Sequence, residues 1–350
     1  MITDPRVFED EHLPRELKHR EGAKRVLANA FEPARQGERA DDVLLSGPSG
    51  VGKTVLARHT LTELQTHADV HYAHIDCLGS TTATILRDAL DAYPQPVDVH
   101  RGTPLDELVE TVQDVVTQPY VLVLDEADDL PEKQIPELVA SLPHVSVVAI
   151  CHNAEEWLAR VDDGFRQSIG AHQEVDRFSV DELADILHAR AREGLTRGAV
   201  SLDQLRWIAD EVSGVARRGI QSLRSAALLA EDRHGGAIRD ADVDDCFSHA
   251  RQRIRRMNLR SLPYHHQVLY AIIHEGAPIG SDELHRRYDS LSETLYGGQE
   301  LTPVSRRARR TKLAKLREYD LVEHTGPDHD RTYVVLDESV RPRVEIRTAY

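Results

Sequence analysis

The run Asp42-Val-Leu-Leu-Ser46, followed without a break by Gly47-Pro48-Ser49-Gly50-Val51-Gly52-Lys53-Thr54 and then by a helical pattern from Val55 to Thr66, decides the fold. The first five residues read as a largely apolar strand, and the last twelve carry helical spacing. Between them, eight residues satisfy G-x-x-x-x-G-K-[ST]. Glycines let backbone amides curl round phosphate oxygens, Lys53 brings a cation to the β and γ phosphates, and the Thr54 hydroxyl can ligate Mg2+. The flanking strand and helix are the context that this mechanism needs, which a chance match in a glycine-rich turn would lack. All eight residues, Gly47 to Thr54, are therefore candidate nucleotide-binding positions.

Working outward, further strands are expected at Val70 to Cys77, Tyr120 to Asp125 and Val145 to Cys151, with helices between them that include Thr81 to Ala92 and Leu105 to Thr117. Strands and helices alternating at these lengths imply a mostly parallel sheet covered by helices. Upstream, one helix is predicted from Arg20 to Ala34. The strand Tyr120-Val-Leu-Val-Leu runs into Asp125-Glu126-Ala-Asp128. There Asp125 can hold magnesium through water and Glu126 can polarise an attacking water. The competing reading is a carboxylate cluster capping a helix.

From Ser179 the pattern is helical only. Ser179-Val-Asp-Glu182 and Ser201-Leu-Asp-Gln204 both have capping-box form, and helices are also predicted at Arg217 to Arg233 and Arg239 to Met257. The stretch Leu259 to Leu336 holds two short helical patterns, a basic helix, and two strand-like runs, Leu321 to Thr325 and Arg331 to Leu336, around the turn Gly326 to Asp330. Helix, helix, helix, hairpin is the order of a winged helix. The expected architecture is α/β, with a nucleotide-binding core at 1–175, an all-helical lid at 176–257 and a C-terminal winged-helix domain at 258–340.

Composition bounds the function classes. The 350 residues carry 43 Lys and Arg against 59 Asp and Glu, a formal charge of −16. No apolar run approaches the roughly 18 to 20 residues that cross a bilayer. The N-terminus lacks a basic stretch followed by an apolar one, and Cys77, Cys151 and Cys246 lie far apart. Membrane spanning, a secretory signal, a disulfide framework and a cysteine-knuckle zinc site are all disfavoured, and a cytoplasmic protein is expected. Lysine stands at only six positions, so 37 of the 43 cations are arginine. This resembles cytoplasmic proteins of salt-loaded halophilic archaea, the alternative being an acidic protein from a GC-rich genome. The 19 histidines form no metal-binding pattern, and His71, His74, His265 and His266 read as surface or satisfied core residues.

In so acidic a chain, nucleic-acid binding has to rest on local cations. Between Thr302 and Glu318 stand Arg306, Arg307, Arg309, Arg310, Lys312, Lys315 and Arg317 against one acid. At helical spacing Arg306, Arg309, Arg310 and Arg317 are expected to share a face, with Val304, Leu313 and Leu316 toward a core. Arg306, Arg307, Arg309, Arg310 and Lys312 are the candidate DNA contacts of a recognition helix. The competing reading is a solvated basic face or a dock for an acidic partner. A second cluster, Arg251, Arg253, Arg255, Arg256 and Arg260, would either grip phosphates or pair with the acidic lid.

GPSGVGKT, LDEAD, the strand VVAICHN ending in Asn153, and the helices after residue 179 together resemble the AAA+ P-loop ATPases. Within them the chain is similar to the archaeal origin-recognition initiators, relatives of the eukaryotic origin recognition complex and its cell-division-cycle loading factor. That closer likeness is carried by Val7-Phe8, Leu13-Pro14, His19-Arg20-Glu21, Phe165-Arg166-Gln-Ser168 and Gly214-Val-Ala-Arg217. The resemblance implies that Asn153 is a polar sensor beside the γ phosphate, although it also reads as the N-cap of a following helix. It implies that Arg217 reaches the γ phosphate from the lid. Arg166 would be an arginine finger completing a neighbour's site, or else a plain surface arginine. Leu13 to Glu21 would border the adenine. The chain departs from the family pattern at Val215, where a small or acidic residue is usual. The implied function is a slow Mg2+-dependent ATPase switch, taking ATP and ADP, that binds double-stranded origin DNA sequence-specifically and helps load a replicative helicase with other initiator subunits. The alternatives are an ATP-dependent winged-helix transcriptional regulator and a helper ATPase of a mobile element.

Overall fold

The computed structural model describes residues 1–130, 135–298, 301–327 and 331–346, the side chains of 136, 137 and 140 aside. The chain divides into two compact units, Met1–Val243 and Asp244–Tyr350.

In the first unit the elements run α1 (Glu21–Ala30), α2 (Glu32–Arg35), β1 (Asp42–Ser46), α3 (Lys53–Gln65), β2 (His71–Asp76), α4 (Thr82–Ala92), α5 (Leu105–Val115), β3 (Tyr120–Asp125), α6 (Ile135–Ala140), β4 (Val145–Ile150), α7 (Ala154–Leu158), α8 (Asp163–Ser168) and β5 (Ile169–Glu174). Three helices follow: α9 (Val180–Gly194), α10 (Leu202–Glu211) and α11 (Ala216–Arg233). The five strands form a parallel sheet in the order β2-β3-β4-β1-β5.

The two-residue period of a strand divides its side chains between two cores. Leu44, Ala73, Ile75, Leu122, Leu124, Val147 and Ala149 pack into one. Val43, Leu45, Val121, Val123, Val148 and Ile150 pack into the other. Each buried Val, Leu or Ile among them contributes about 1.5–3 kcal/mol relative to exposure. Covering both faces is why β1, β3 and β4 read as near-continuous apolar runs. At the sheet edge away from the phosphate loop, the buried Asp42 carboxylate takes two bonds from Arg39 (both 2.8 Å) and the Val147 amide (2.8 Å), so its charge is fully engaged.

Two elements differ from the sequence reading. β5, in which no strand was predicted, is an edge strand on β1 whose residues Ile169 to Glu174 alternate half-buried and exposed, so the apolar signal is missing. The single helix expected over Arg20 to Ala34 is two helices, because Pro33 cannot donate to the ladder and fits only the first turn of a new helix. Both predicted capping boxes form: Ser179 and Ser201 accept from the amides of Glu182 and Gln204, and those side chains return bonds to the cap amides. Each such cap stabilises a helix start by about 1 kcal/mol.

The first dozen residues belong with these last helices. The Met1 amine pairs with Glu231, the Thr3 amide donates to Gly194 O (2.9 Å), and Val7 and Phe8 are buried. A Cβ on Gly194 would stand 2.7 Å from the Phe8 ring, so this close approach of arm to helix requires glycine.

The helix α12 (Asp240–Ser261) leads into the second unit, which contains α13 (Tyr264–Gly276), β6 (Ile279–Gly280), α14 (Ser281–Tyr296), α15 (Arg306–Glu318), β7 (Val322–Thr325) and β8 (Thr332–Val335). The strands pair antiparallel in the order β6-β8-β7. The predicted order of helices and hairpin is found, with the two-residue β6 as an unpredicted third strand. Of the predicted turn, Asp328 to Asp330 lie outside the described residues. Val268 to Ile273 of α13 are buried together with Leu284 and Tyr288 of α14 and Leu313 and Leu316 of α15.

Arg309 corrects the sequence reading of α15. It was grouped with the DNA-facing arginines, but it is only 5% exposed. Its guanidinium donates to Val304 O (2.9 Å), His285 O (3.3 Å) and Asp289 Oδ1 (2.5 Å), and lies 3.9 Å over the Tyr288 ring. On the helix wheel it stands with Leu313 and Leu316, about a quarter of a turn back from the Arg306 and Arg310 face. Arg255, from the second arginine cluster, is likewise committed: it forks onto Asp320 (2.8 Å and 3.1 Å) within its own unit.

Candidate nucleotide site and candidate DNA face

β1 delivers its last residue, Ser46, to the edge of the sheet where the phosphate loop begins. Gly47 has φ 136°, and a Cβ there would stand 2.3 Å from Val175 O, so only glycine lets the loop start. Its amide donates to His152 O (3.2 Å), fixing the loop to the segment after β4. Gly50 and Gly52 also have positive φ, and Gly52 caps α3, whose first residue is Lys53. Pro48, Ser49 and Val51 complete the turn, with Val51 fully buried.

Lys53 is 8% exposed, and its ammonium donates to the carbonyls of Gly47 (2.7 Å) and Pro48 (2.9 Å). Burial pulls its pKa below the ordinary lysine value, opposed by the charges of Asp125 and Asp128. A desolvated cation held by neutral acceptors at a helix N-terminus suits an anionic ligand. Across from it the Thr54 hydroxyl donates to Asp125 Oδ2 (2.6 Å), and His74 Nε2 lies 3.0 Å from the same oxygen. Burial works against the Asp125 carboxylate's charge, but the bonds from His74 and Thr54 outweigh it and leave its pKa below the usual carboxylate range. A hydroxyl and an ionised carboxylate converging beside the loop form the hard oxygen set that magnesium takes, so the residues present fit that ion.

Glu126 follows with φ 53°, a left-handed conformation costly for a residue with a Cβ, which turns the chain sharply at the end of β3. Asn153 caps α7, its Oδ1 accepting from the Glu156 amide (3.1 Å); this occupies the oxygen and not the nitrogen of its amide. His152 joins these two loops. Its amide (2.8 Å) and Nδ1 (2.9 Å) both meet Asp128 Oδ2, while its carbonyl accepts from Gly47. His152 and His74 were not singled out as site residues from the sequence. A single histidine on a strand or just past its end carries no periodic signal, and only the sheet register brings each to its carboxylate.

The helices α9 to α11 sit over the loop. The Arg217 amide donates to Gly50 O (3.1 Å), and Val215 would meet a Cβ on Gly50 at 3.0 Å. The Arg217 guanidinium pairs with Asp10 Oδ2 at 2.8 Å. Beside the loop is a largely apolar cavity walled by Pro14, Leu17, Val51, Val55, Phe178 and Ile220. Arg20 stacks 3.7 Å over Phe178 and donates to Asp176 O (2.6 Å) and Val51 O (3.2 Å), bracing that wall. Arg166 lies apart from the loop residues: its guanidinium bonds back to Leu158 O (2.7 Å) and pairs with Asp163 (3.2 Å).

In the second unit, Arg306, Arg307, Arg310 and Arg317 of α15 are exposed, whereas Lys312 is half-buried and Lys315 is buried, paired with Glu318 (3.1 Å). The exposed cations cover one side of the helix, and Arg309 anchors the other. Among the described residues no helix is long and apolar enough to cross a membrane.

Comparison with known proteins gives the class first. Residues 16–151 match the model of the AAA ATPase domain, and residues 184–248 match that of the Cdc6 AAA+ ATPase-type lid domain. The chain is 33% identical over 349 residues to ORC1-type DNA replication protein 9 of Halobacterium salinarum, covering 98% of this chain and 96% of the relative. It is 31% identical over 294 residues to ORC1-type DNA replication protein 1 of the same organism, covering 82% and 95%. The chain belongs to the family of ORC1-type DNA replication proteins. Its fold is similar to that of the Aeropyrum pernix ORC1 protein in complex with DNA, with a TM-score of 0.71 and 24% identity over 95% of this chain and 93% of that one. The Aeropyrum pernix ORC2 protein, with ADPNP and ADP, gives a TM-score of 0.66 and 22% identity over 95% and 94%.

Proposed function

We propose that this protein is an ATP-switched replication initiator that recognises origin DNA through its second unit and helps place a replicative helicase. In this reading residues 1–175 bind nucleotide, 176–257 form the lid and 258–340 form a winged helix. The observation that carries it is the direct seat of the lid on the phosphate loop, Arg217 N on Gly50 O at 3.1 Å, because phosphates in the loop are then felt by the lid at once.

The residues take the following roles. Backbone amides of Gly47 to Thr54 and the Lys53 ammonium hold the phosphates. Thr54 and Asp125 would hold magnesium, which when bound neutralises the charge on the β and γ phosphates. Glu126 accepts the proton of the attacking water, and Asn153 orients that water through its amide NH2. Arg217 meets the terminal phosphate from the lid, and Arg166 serves a neighbouring subunit's site. On α15, Arg306 and Arg310 reach base edges while Arg307 and Lys312 meet the phosphate backbone. The names of the relatives and the DNA-bound fold neighbour support the assignment of DNA as ligand.

The test joins both halves. Glu126→Gln should keep ATP affinity within about twofold and slow single-turnover hydrolysis by 100-fold or more, on the order of a lost general base. Mapping bound genomic fragments with and without ATP should then show repeated sites beside a replication start, occupied in a nucleotide-dependent way. An unchanged hydrolysis rate removes Glu126 from the mechanism, and protection confined to promoters makes the protein a regulator.

A further inference from the structure

Arg217 begins against the phosphate loop and ends away from it. Its amide is bonded to Gly50 O, and its Cβ stands 3.2 Å from where a Cβ on Gly50 would be. The guanidinium nevertheless engages Asp10, at 2.8 Å. Asp10 sits in a fixed stretch of the N-terminal arm. The carbonyls of Val7 and Phe8 are taken by Arg190 (3.0 Å) and Gln221 (2.7 Å), and the neighbouring Glu9 is paired with Arg224 (2.6 Å). A few residues on, Pro14 and Leu17 wall the cavity beside the loop.

We propose that Asp10 sets the preference of this site between ATP and ADP, by competing with the terminal phosphate for the Arg217 guanidinium. The proposal rests on the reading of Gly47–Thr54 as the phosphate loop and of Arg217 as the cation of the lid. A carboxylate and a phosphate present the same paired oxygens to a guanidinium fork. ADP ends at the β phosphate and leaves the Arg217–Asp10 pair in place. ATP adds an anionic group within reach of a side chain rooted at Gly50 and draws the fork off Asp10. The arm thereby loses one of its ties to the lid only in the triphosphate state, and the acid lowers ATP affinity by the strength of the pair it gives up. The two side chains are 28% and 38% exposed, so that strength is the modest one of a partly solvated ion pair, equivalent to roughly two- to fivefold in affinity.

The experiment measures equilibrium affinity of the full-length chain for ADP and for a non-hydrolysable ATP analogue, with magnesium. It uses wild type, Asp10→Asn, Asp10→Glu, Arg217→Ala and the Asp10→Asn/Arg217→Ala double variant. Asp10→Asn should tighten the analogue about two- to fivefold and leave ADP unchanged, Asp10→Glu should stay near wild type, and the double variant should match Arg217→Ala alone. Equal changes for both nucleotides, no change, or an Asp10→Asn effect that survives without Arg217 would each overturn the proposal. If Arg217→Ala itself leaves the ATP preference untouched, the reading of Arg217 fails and the proposal with it. A wild-type chain that binds neither nucleotide sinks the phosphate-loop reading first.

Discussion

Lys53 in the first unit and Arg309 in the second are both nearly buried cations, 8% and 5% exposed, yet they are held in opposite ways. Lys53 donates to two loop carbonyls, neutral acceptors that a phosphate can replace. Arg309 is closed on all sides by a carboxylate, two carbonyls and the face of Tyr288. A cation with weak, exchangeable partners marks a binding site; one whose nitrogens each already donate to a fixed partner is scaffold, whatever its sequence neighbourhood.

The largest test of this contrast is Lys53→Ala. Loss of charge-assisted bonds to two phosphates, each worth about 1.5–3 kcal/mol, should weaken ATP binding at least about 100-fold in equilibrium titration. Unfolding of the first unit should be unchanged or shifted upward, since a desolvated charge has been removed. Retained tight binding, or a collapse of stability instead, would make Lys53 a scaffold residue like Arg309.

Arg309→Ala should behave the other way. It removes the bonds to the Val304 and His285 carbonyls and to Asp289, and the cation over Tyr288, for about 2–4 kcal/mol of lost stability in the second unit by denaturant unfolding. Arg306→Ala with Arg310→Ala should leave stability within about 0.5 kcal/mol and reduce sequence-specific DNA affinity by roughly 1–3 kcal/mol per base-edge contact. If all three substitutions cost only DNA binding, the division of α15 into an anchored and a free side is wrong.

A smaller effect separates the units by pH. His266 on α13 is 3% exposed, and burial, with the nearby Lys312 charge, pushes its pKa down to about 3. Its folded pKa lies below the ordinary 6.5, so the stability it contributes is complete above about 6.5 and is lost as pH falls from there toward 3. Amide exchange in α13 should speed up across that window, with a slope of at most about 1.4 kcal/mol per pH unit. His266→Leu should flatten the slope. A slope that survives the substitution assigns it to other groups.

Much of this was legible beforehand where the code is local. The glycine-bearing turn between β1 and α3, β1 and β3 to the residue, both capping boxes and the order of elements in the second unit all follow from patterns confined to a dozen consecutive residues. β5 was not legible, because an edge strand with one side in water lacks the apolar run that marked its neighbours. Arg309 was misplaced because four arginines in five positions carry no mark of which one turns inward; that is decided by Asp289 and Tyr288 from α14.

By itself the sequence determined the class of protein, since the turn between β1 and α3 is written in backbone conformations that glycines at fixed spacing allow, with one lysine and one hydroxyl attached. Tertiary structure alone decided which charges meet: His152 on Asp128, His74 on Asp125, and Asp10 on Arg217 across 207 residues of chain. Those contacts depend on sheet register and on where an N-terminal arm is clasped. Both are set by burial of distant apolar residues, which act without reference to the polar groups they bring together.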